Sequence, residues 1–200
     1  MEPISSRKHL TIVLLIFAVI AAAGYVANVQ HGAGAEANRI GLYVSVVVGQ
    51  LALIRYVKIG LRVPVREIVG GFRWFDVLIA AALFGAIRLL SPFIQRWLQT
   101  DDHTAFLQPR GVVEIAMWIV VSMVAGVSEE FVFRGYLQRR LPAGVIAQAI
   151  VFGVSHGYQG IRSVLNIALI GLLFGIVARW RRSLAPGMIA HAATDIAAIF

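Results

Sequence analysis

Apolar residues run through this chain in long stretches, broken by short clusters of arginine, glycine and proline. Seven apolar segments follow one another: Leu10–Ala27, Ile40–Val57, Phe75–Ile94, Val112–Arg139, Pro142–His156, Val164–Trp180 and Leu184–Phe200. Several approach the roughly 20 residues that a helix needs to cross hydrocarbon. The pattern predicts an all-α fold, a polytopic transmembrane bundle of about seven segments. The fifth segment is short, and the fourth is long enough to tilt or to project beyond the bilayer. Residues 1–200 read as one membrane domain. Within it, 1–111 form the N-terminal membrane helices and 112–200 carry the candidate chemistry.

Composition agrees with the pattern. Of 200 residues, 59% are hydrophobic, and the mean hydropathy is +0.80. A soluble domain would be nearer half apolar. The net charge of +8 does not indicate nucleic acid, because most basic residues sit in short connections between apolar runs, where they act as topology determinants. With the amino terminus in the cytoplasm and alternating segments, the inner stretches hold thirteen basic residues: Arg7, Lys8, Arg55, Lys58, Arg62, Arg66, Arg73, Arg134, Arg139, Arg140, Arg179, Arg181 and Arg182. The outer loops hold four, Arg39, Arg96, Arg110 and Arg162. That asymmetry predicts a multi-pass protein of the cell (inner) membrane with its amino terminus inside. Ala21-Ala22-Ala23 has the small-residue character of a signal-peptidase site. A cleaved leader is one reading of the first segment and leaves the rest unchanged. Asp101, Asp102 and His103 fall in an outer loop and read as solvated loop charge. No cysteine is present, which excludes disulfides and thiolate metal sites.

Ionisable groups inside a bilayer are costly, and they mark candidate functional sites. Glu129 and Glu130 stand where the fourth segment is still running; His156 and His191 are each alone in a later one. Measured from the basic turns at Arg139–Pro142 and Arg181–Ser183, Glu129 lies roughly 16 Å up its helix, His156 roughly 21 Å, His191 roughly 12 Å and Asp195 roughly 18 Å. Three helices thus offer polar groups at comparable depths, which predicts one site with a cavity open to the cytoplasm. Glu130 and Arg134 are four apart, acid first, the favourable order for an ion pair. Glu129 points about 100° away from Glu130 and stays free for chemistry. His191 shares a face with Asp195, and Phe152 shares one with His156.

Plainer readings exist for each feature. The two glutamates could end a short interfacial helix, though acids at a helix C-terminus oppose the macrodipole. Glu130–Arg134 reads as structural even in an enzyme, and His191–Asp195 could be a helix-packing contact. Gly171 and Gly175 read as close helix packing. Trp74, Trp97, Trp118 and Trp180 read as interfacial or lipid-facing.

Three stretches together resemble a known pattern. Glu129-Glu130-Phe131-Val132-Phe133-Arg134 resembles the EExxxR motif of the CPBP family, which includes the CAAX prenyl endopeptidases and the Abi proteins of bacteriocin processing and immunity. Phe152-Gly153-Val154-Ser155-His156 resembles its FxxxH motif, and His191-Ala192-Ala193-Thr194-Asp195 its HxxxN or HxxxD motif. The order and the placement on successive segments also match. The resemblance covers about Val112 to Phe200; the first three segments add nothing diagnostic. It implies a glutamate-dependent intramembrane endopeptidase without a cofactor. Glu129 would be the general base, His156 its partner, and His191 and Asp195 the oxyanion-stabilising positions. Glu130, Arg134 and Phe152 would support them. Asp195 departs from the amide of the prenyl endopeptidases: an ionised carboxylate repels an oxyanion, so it must be protonated or orient His191.

The partners implied are membrane lipid and a peptide or protein substrate, lipidated or bearing a C-terminal sorting tail; oligomeric state is left open. Other readings stay open. Glu129, His156 and His191 could hold Zn²⁺ with an open fourth position. The chain could be a non-catalytic immunity or scaffold protein that retains the motifs. Glu129 and His156 could also relay protons in a coupled transporter.

Overall fold

The computed structural model describes residues 7–16, 18, 39–61, 64–98 and 108–200. Ala21–Ala23, Asp101, Asp102 and His103 lie outside these residues. Every regular element among them is helical. Helix α1 covers residues 7–16. It is followed by α2 (Arg39–Leu61), α3 (Val65–Val69), α4 (Asp76–Leu98) and α5 (Val112–Glu129). The chain of α5 continues through a π-helical stretch, Glu130–Leu137, into α6 (Gln138–Arg140). Then come α7 (Gly144–Ser155), a 3₁₀ turn at Gly157–Gln159, α8 (Ile161–Arg181) and α9 (Ala185–Ala197).

Among the described residues, three stretches are long and apolar enough to cross a membrane: Asp76–Leu98, Val112–Arg140 and Ile161–Arg181. The short fifth segment is a helix of 12 residues, about 18 Å long and little more than half a bilayer. Outward-facing Leu78, Leu89, Val120, Ile150 and Ile176 are exposed, as expected where lipid is the solvent. Pro92 sits inside α4, a residue that membrane helices tolerate when neighbours satisfy the freed backbone.

Helices α7 and α8 form an antiparallel hairpin, α9 lies between α4 and α5, and α2 packs on α5. The π-helical stretch is the centre of the bundle. All eight of its residues are buried, with α2, α3, α7 and α8 packed around it. A surface helix would leave one face exposed; this one has no such face. The sequence shows Val112–Arg139 as one long apolar segment, and hydrogen bonds one residue longer than α-helical widen its last third. Such wide turns often accompany functional sites. From the N-terminal side, Val13 and His9 of α1 join this core. The His9 imidazole lies 2.6 Å from the Tyr136 hydroxyl and 3.0 Å from the Tyr56 carbonyl.

One end of the bundle is strongly basic. There Arg181 Nε sits 2.6 Å from Asp76 Oδ1, Arg139 donates to the Ile68 carbonyl at 3.2 Å, and the Leu184 amide donates to Val69 at 2.8 Å. Helix α3, which the apolar pattern did not predict, is thus tied to the α8–α9 turn. Gly70 ends α3 with φ 76°, and a Cβ there would collide with the Arg182 carbonyl.

Candidate active site

Glu129 is the last α-helical residue of α5 and Glu130 opens the π-helical stretch. Adjacent on one chain, they face different partners. Glu130 is fully buried, with Arg134 Nη1 2.8 Å from its Oε1. Arg134 is itself buried among aromatic rings, its guanidinium carbon 4.4 Å from the centre of Phe152 and 5.3 Å from that of Phe174. It also donates to the Gly171 carbonyl at 3.2 Å. Gly171 permits this approach, because a Cβ there would lie 2.9 Å from the Phe152 ring. The small pair Gly171 and Gly175 therefore does serve close packing, and its carbonyls additionally receive Arg134, Gln148 and Gln138.

Helix α9 brings His191 against both glutamates. Its Nδ1 is 3.2 Å from Glu130 Oε1 and its Nε2 is 3.8 Å from Glu129 Oε2. Since a carboxylate only accepts, Nδ1 carries the proton in the first contact. Asp195, one turn on, places Oδ2 3.7 Å from His191 Nε2. Gly187 makes room for this meeting, for a Cβ there would stand 2.6 Å from Glu130 Oε2.

His156 ends α7. Its Nδ1 is 2.8 Å from the Phe152 carbonyl, so Nδ1–H donates, and in the neutral ring Nε2 is left as the acceptor. That Nε2 lies 3.7 Å from Glu129 Oε2. Phe152 packs against His156, His191 and Arg134 at once, with ring centres 4.7 and 5.7 Å from the two imidazoles. The structure thus brings together all seven residues singled out by sequence: Glu129, Glu130, Arg134, Phe152, His156, His191 and Asp195.

Glu129 Oε2 is buried and has no hydrogen-bond partner among the described residues. The other oxygen, Oε1, accepts from Gln50 Nε2 at 2.9 Å, and Gln50 Oε1 accepts from Ser128 at 2.7 Å. Gln50 comes from α2, outside all three motifs. Its signal was present, since Gln50 is a lone amide within the apolar run Ile40–Val57. Trp118 also departs from expectation. It faces inward, donates to the Asp195 carbonyl at 2.9 Å and meets Tyr43 edge-on, whereas Trp74, Trp97 and Trp180 are exposed near helix ends as expected.

The expected opening toward the basic turns is overturned. Between Glu129 and those turns, residues 130–137 are all buried, as are Gln148, Ala149 and Phe152 on α7 and Ala190 on α9. Exposure begins at the level of the site and rises away from the basic end. The Glu129 side chain is 13% exposed, His156 15% and Asp195 34%. The cause is the shortness of α7, which stops at His156 and leaves only the 157–160 turn above it.

Residues 111–197 match the family model described as type II CAAX prenyl endopeptidase, Rce1-like. That segment, a little under half of the chain, matches the model of the family that the three motifs resemble, and it contains every one of those motif residues. No curated protein and no solved structure matches the chain.

Proposed function

We propose that this chain is an intramembrane endopeptidase in which Glu129 activates water to hydrolyse a peptide bond of a membrane-associated peptide or protein. The observation that carries the reading is the unpartnered Glu129 Oε2, held 3.7 and 3.8 Å from the Nε2 atoms of two histidines on separate helices. Those distances are too long for direct hydrogen bonds; a water drawn in between Oε2 and His156 Nε2, about 2.8 Å from each, would satisfy both. Such a water donates one hydrogen to each. As it attacks the scissile carbonyl, Glu129 Oε2 takes its proton and His156 keeps its lone pair aligned. The proton then passes to the leaving amine.

The developing oxyanion needs a donor. His191 Nδ1–H is committed to Glu130, so Nε2 donates only when the ring is an imidazolium. Asp195, one turn on with Oδ2 3.7 Å from Nε2, is assigned to orienting His191 and not to donating a proton itself. Glu130 and Arg134 hold the assembly, and no metal is required.

The excess of basic residues at one end supports a cytoplasmic amino terminus in a cell membrane. Combined with the exposure pattern, it favours entry of substrate and water from the opposite, outer side. The partners are bilayer lipid and a peptide substrate, lipidated or tail-bearing. Profiling of new peptide termini in membranes of cells carrying the parent chain or Glu129→Gln tests the reading. Termini present only with the parent support it; identical profiles contradict it.

A further inference from the structure

We propose that Gln50, on α2, is a positioning residue that fixes the rotation of the Glu129 carboxylate, so that one oxygen is held toward the two histidines to take the proton from water. The proposal rests on the hydrolytic reading above and goes beyond it to a part of the chain outside residues 111–197. An amide in the middle of an apolar membrane helix is costly unless its polar atoms are satisfied. Here both are satisfied by two consecutive residues of α5. Gln50 Nε2 lies 2.9 Å from Glu129 Oε1, and Gln50 Oε1 lies 2.7 Å from Ser128 Oγ.

The direction of this chain follows from donor chemistry. A carboxylate only accepts, so the NH₂ of Gln50 faces Glu129. Its carbonyl must then accept, and Ser128 supplies the proton. Ser128 has an alternative acceptor in the Ala125 carbonyl, but at 3.2 Å, longer than the contact to Gln50. The terminal torsion of a glutamate is broad and nearly two-fold, so the plane of its carboxylate turns freely unless something holds it. Gln50 does so. It ties Oε1 and leaves Oε2 as the oxygen that faces His156 and His191. Ser128, buried within the core, holds Gln50 in turn.

The test uses the full chain and the peptide whose cleavage depends on Glu129. Gln50→Met has nearly the same length but neither donor nor acceptor. It is expected to lower kcat roughly 10- to 100-fold, the scale of a misplaced reacting group, with KM unchanged and the protein still cooperatively folded. Ser128→Ala should lower kcat less, and the double variant should be no worse than Gln50→Met alone, because Ser128 acts through Gln50. Parent-like kcat in Gln50→Met, a matching rise in KM, or multiplicative losses in the double variant would overturn the proposal. A second measurement needs no turnover: the isotope-edited infrared carboxylate band that Glu129→Gln removes. It should shift in Gln50→Met, and an unshifted band would overturn the proposal. Full activity in Glu129→Gln sinks the hydrolytic reading itself, whereas an inactive Glu129→Gln beside a fully active Gln50→Met sinks only the role of Gln50.

Discussion

Glu130→Gln offers a direct test of how the bundle holds its charges. Glu130 and Arg134 have side-chain exposures of 0% each and lie 2.8 Å apart. Removing one partner of a buried pair costs about 3–5 kcal/mol, because the other charge is left uncompensated. Part of that loss is offset here. The Arg134 guanidinium sits over Phe152, Phe174 and Phe133 at 4.4, 5.3 and 5.8 Å, and such contacts contribute about 0.5–2 kcal/mol each. The glutamine oxygen can also still accept. The lower end, about 3 kcal/mol, is therefore expected. At about 2–4 °C per kcal/mol for a chain of this size, the melting temperature should fall by roughly 6–12 °C. Tryptophan-fluorescence melting of the detergent-purified protein reads this out. The double variant Glu130→Gln/Arg134→Met removes both charges and should recover much of the loss, since replacing a buried pair by apolar groups is often nearly neutral. A Glu130→Gln melting point within about 2 °C of the parent, or a double variant that loses the sum of the singles, refutes the reasoning.

Three further outcomes follow. His191→Ala should lower turnover about 10²- to 10³-fold with little change in KM, and Asp195→Asn should also be damaging if Asp195 works as a carboxylate; a fully active Asp195→Asn would instead make it a neutral donor. In intact cells, a cysteine at exposed Ile161 should react with an impermeant thiol reagent from outside, and one at exposed Arg179 only after the membrane is opened. The reverse pattern would invert the topology. Cleavage should survive chelators, with no metal in stoichiometric amount in the purified protein; loss on chelation and recovery with Zn²⁺ would turn Glu129, His156 and His191 into ligands.

The motif residues were legible in sequence because charge and imidazole stand out against apolar runs. Their depths followed from counting residues along helices, and the acid-first spacing of Glu130 and Arg134 gave their pairing. The rest depended on tertiary arrangement. Gln50 was visible as a polar interruption, but nothing local tells which helix faces α5. The direction of the opening is not legible in sequence, because depth counted from the basic turns carries no sign of the packing that fills the space between. The shortness of α7 was visible; that it ends level with Glu129 emerges only when the helices are placed together. Trp118 looked like its three exposed counterparts because an indole carries no mark of the face it occupies. The π-helical stretch has no periodic signature, since apolar residues on every side suit either helix.

The central claim is that Glu129 is the base, and kinetics of purified Glu129→Gln test it most directly. The amide fills the same space and can still face Gln50 and the histidines, but it cannot take a proton. With the peptide identified by terminal profiling as substrate, the account predicts a kcat lower by about 10² to 10⁴, at parent-like melting temperature and KM. A folded Glu129→Gln protein that cleaves at the parent rate would contradict it.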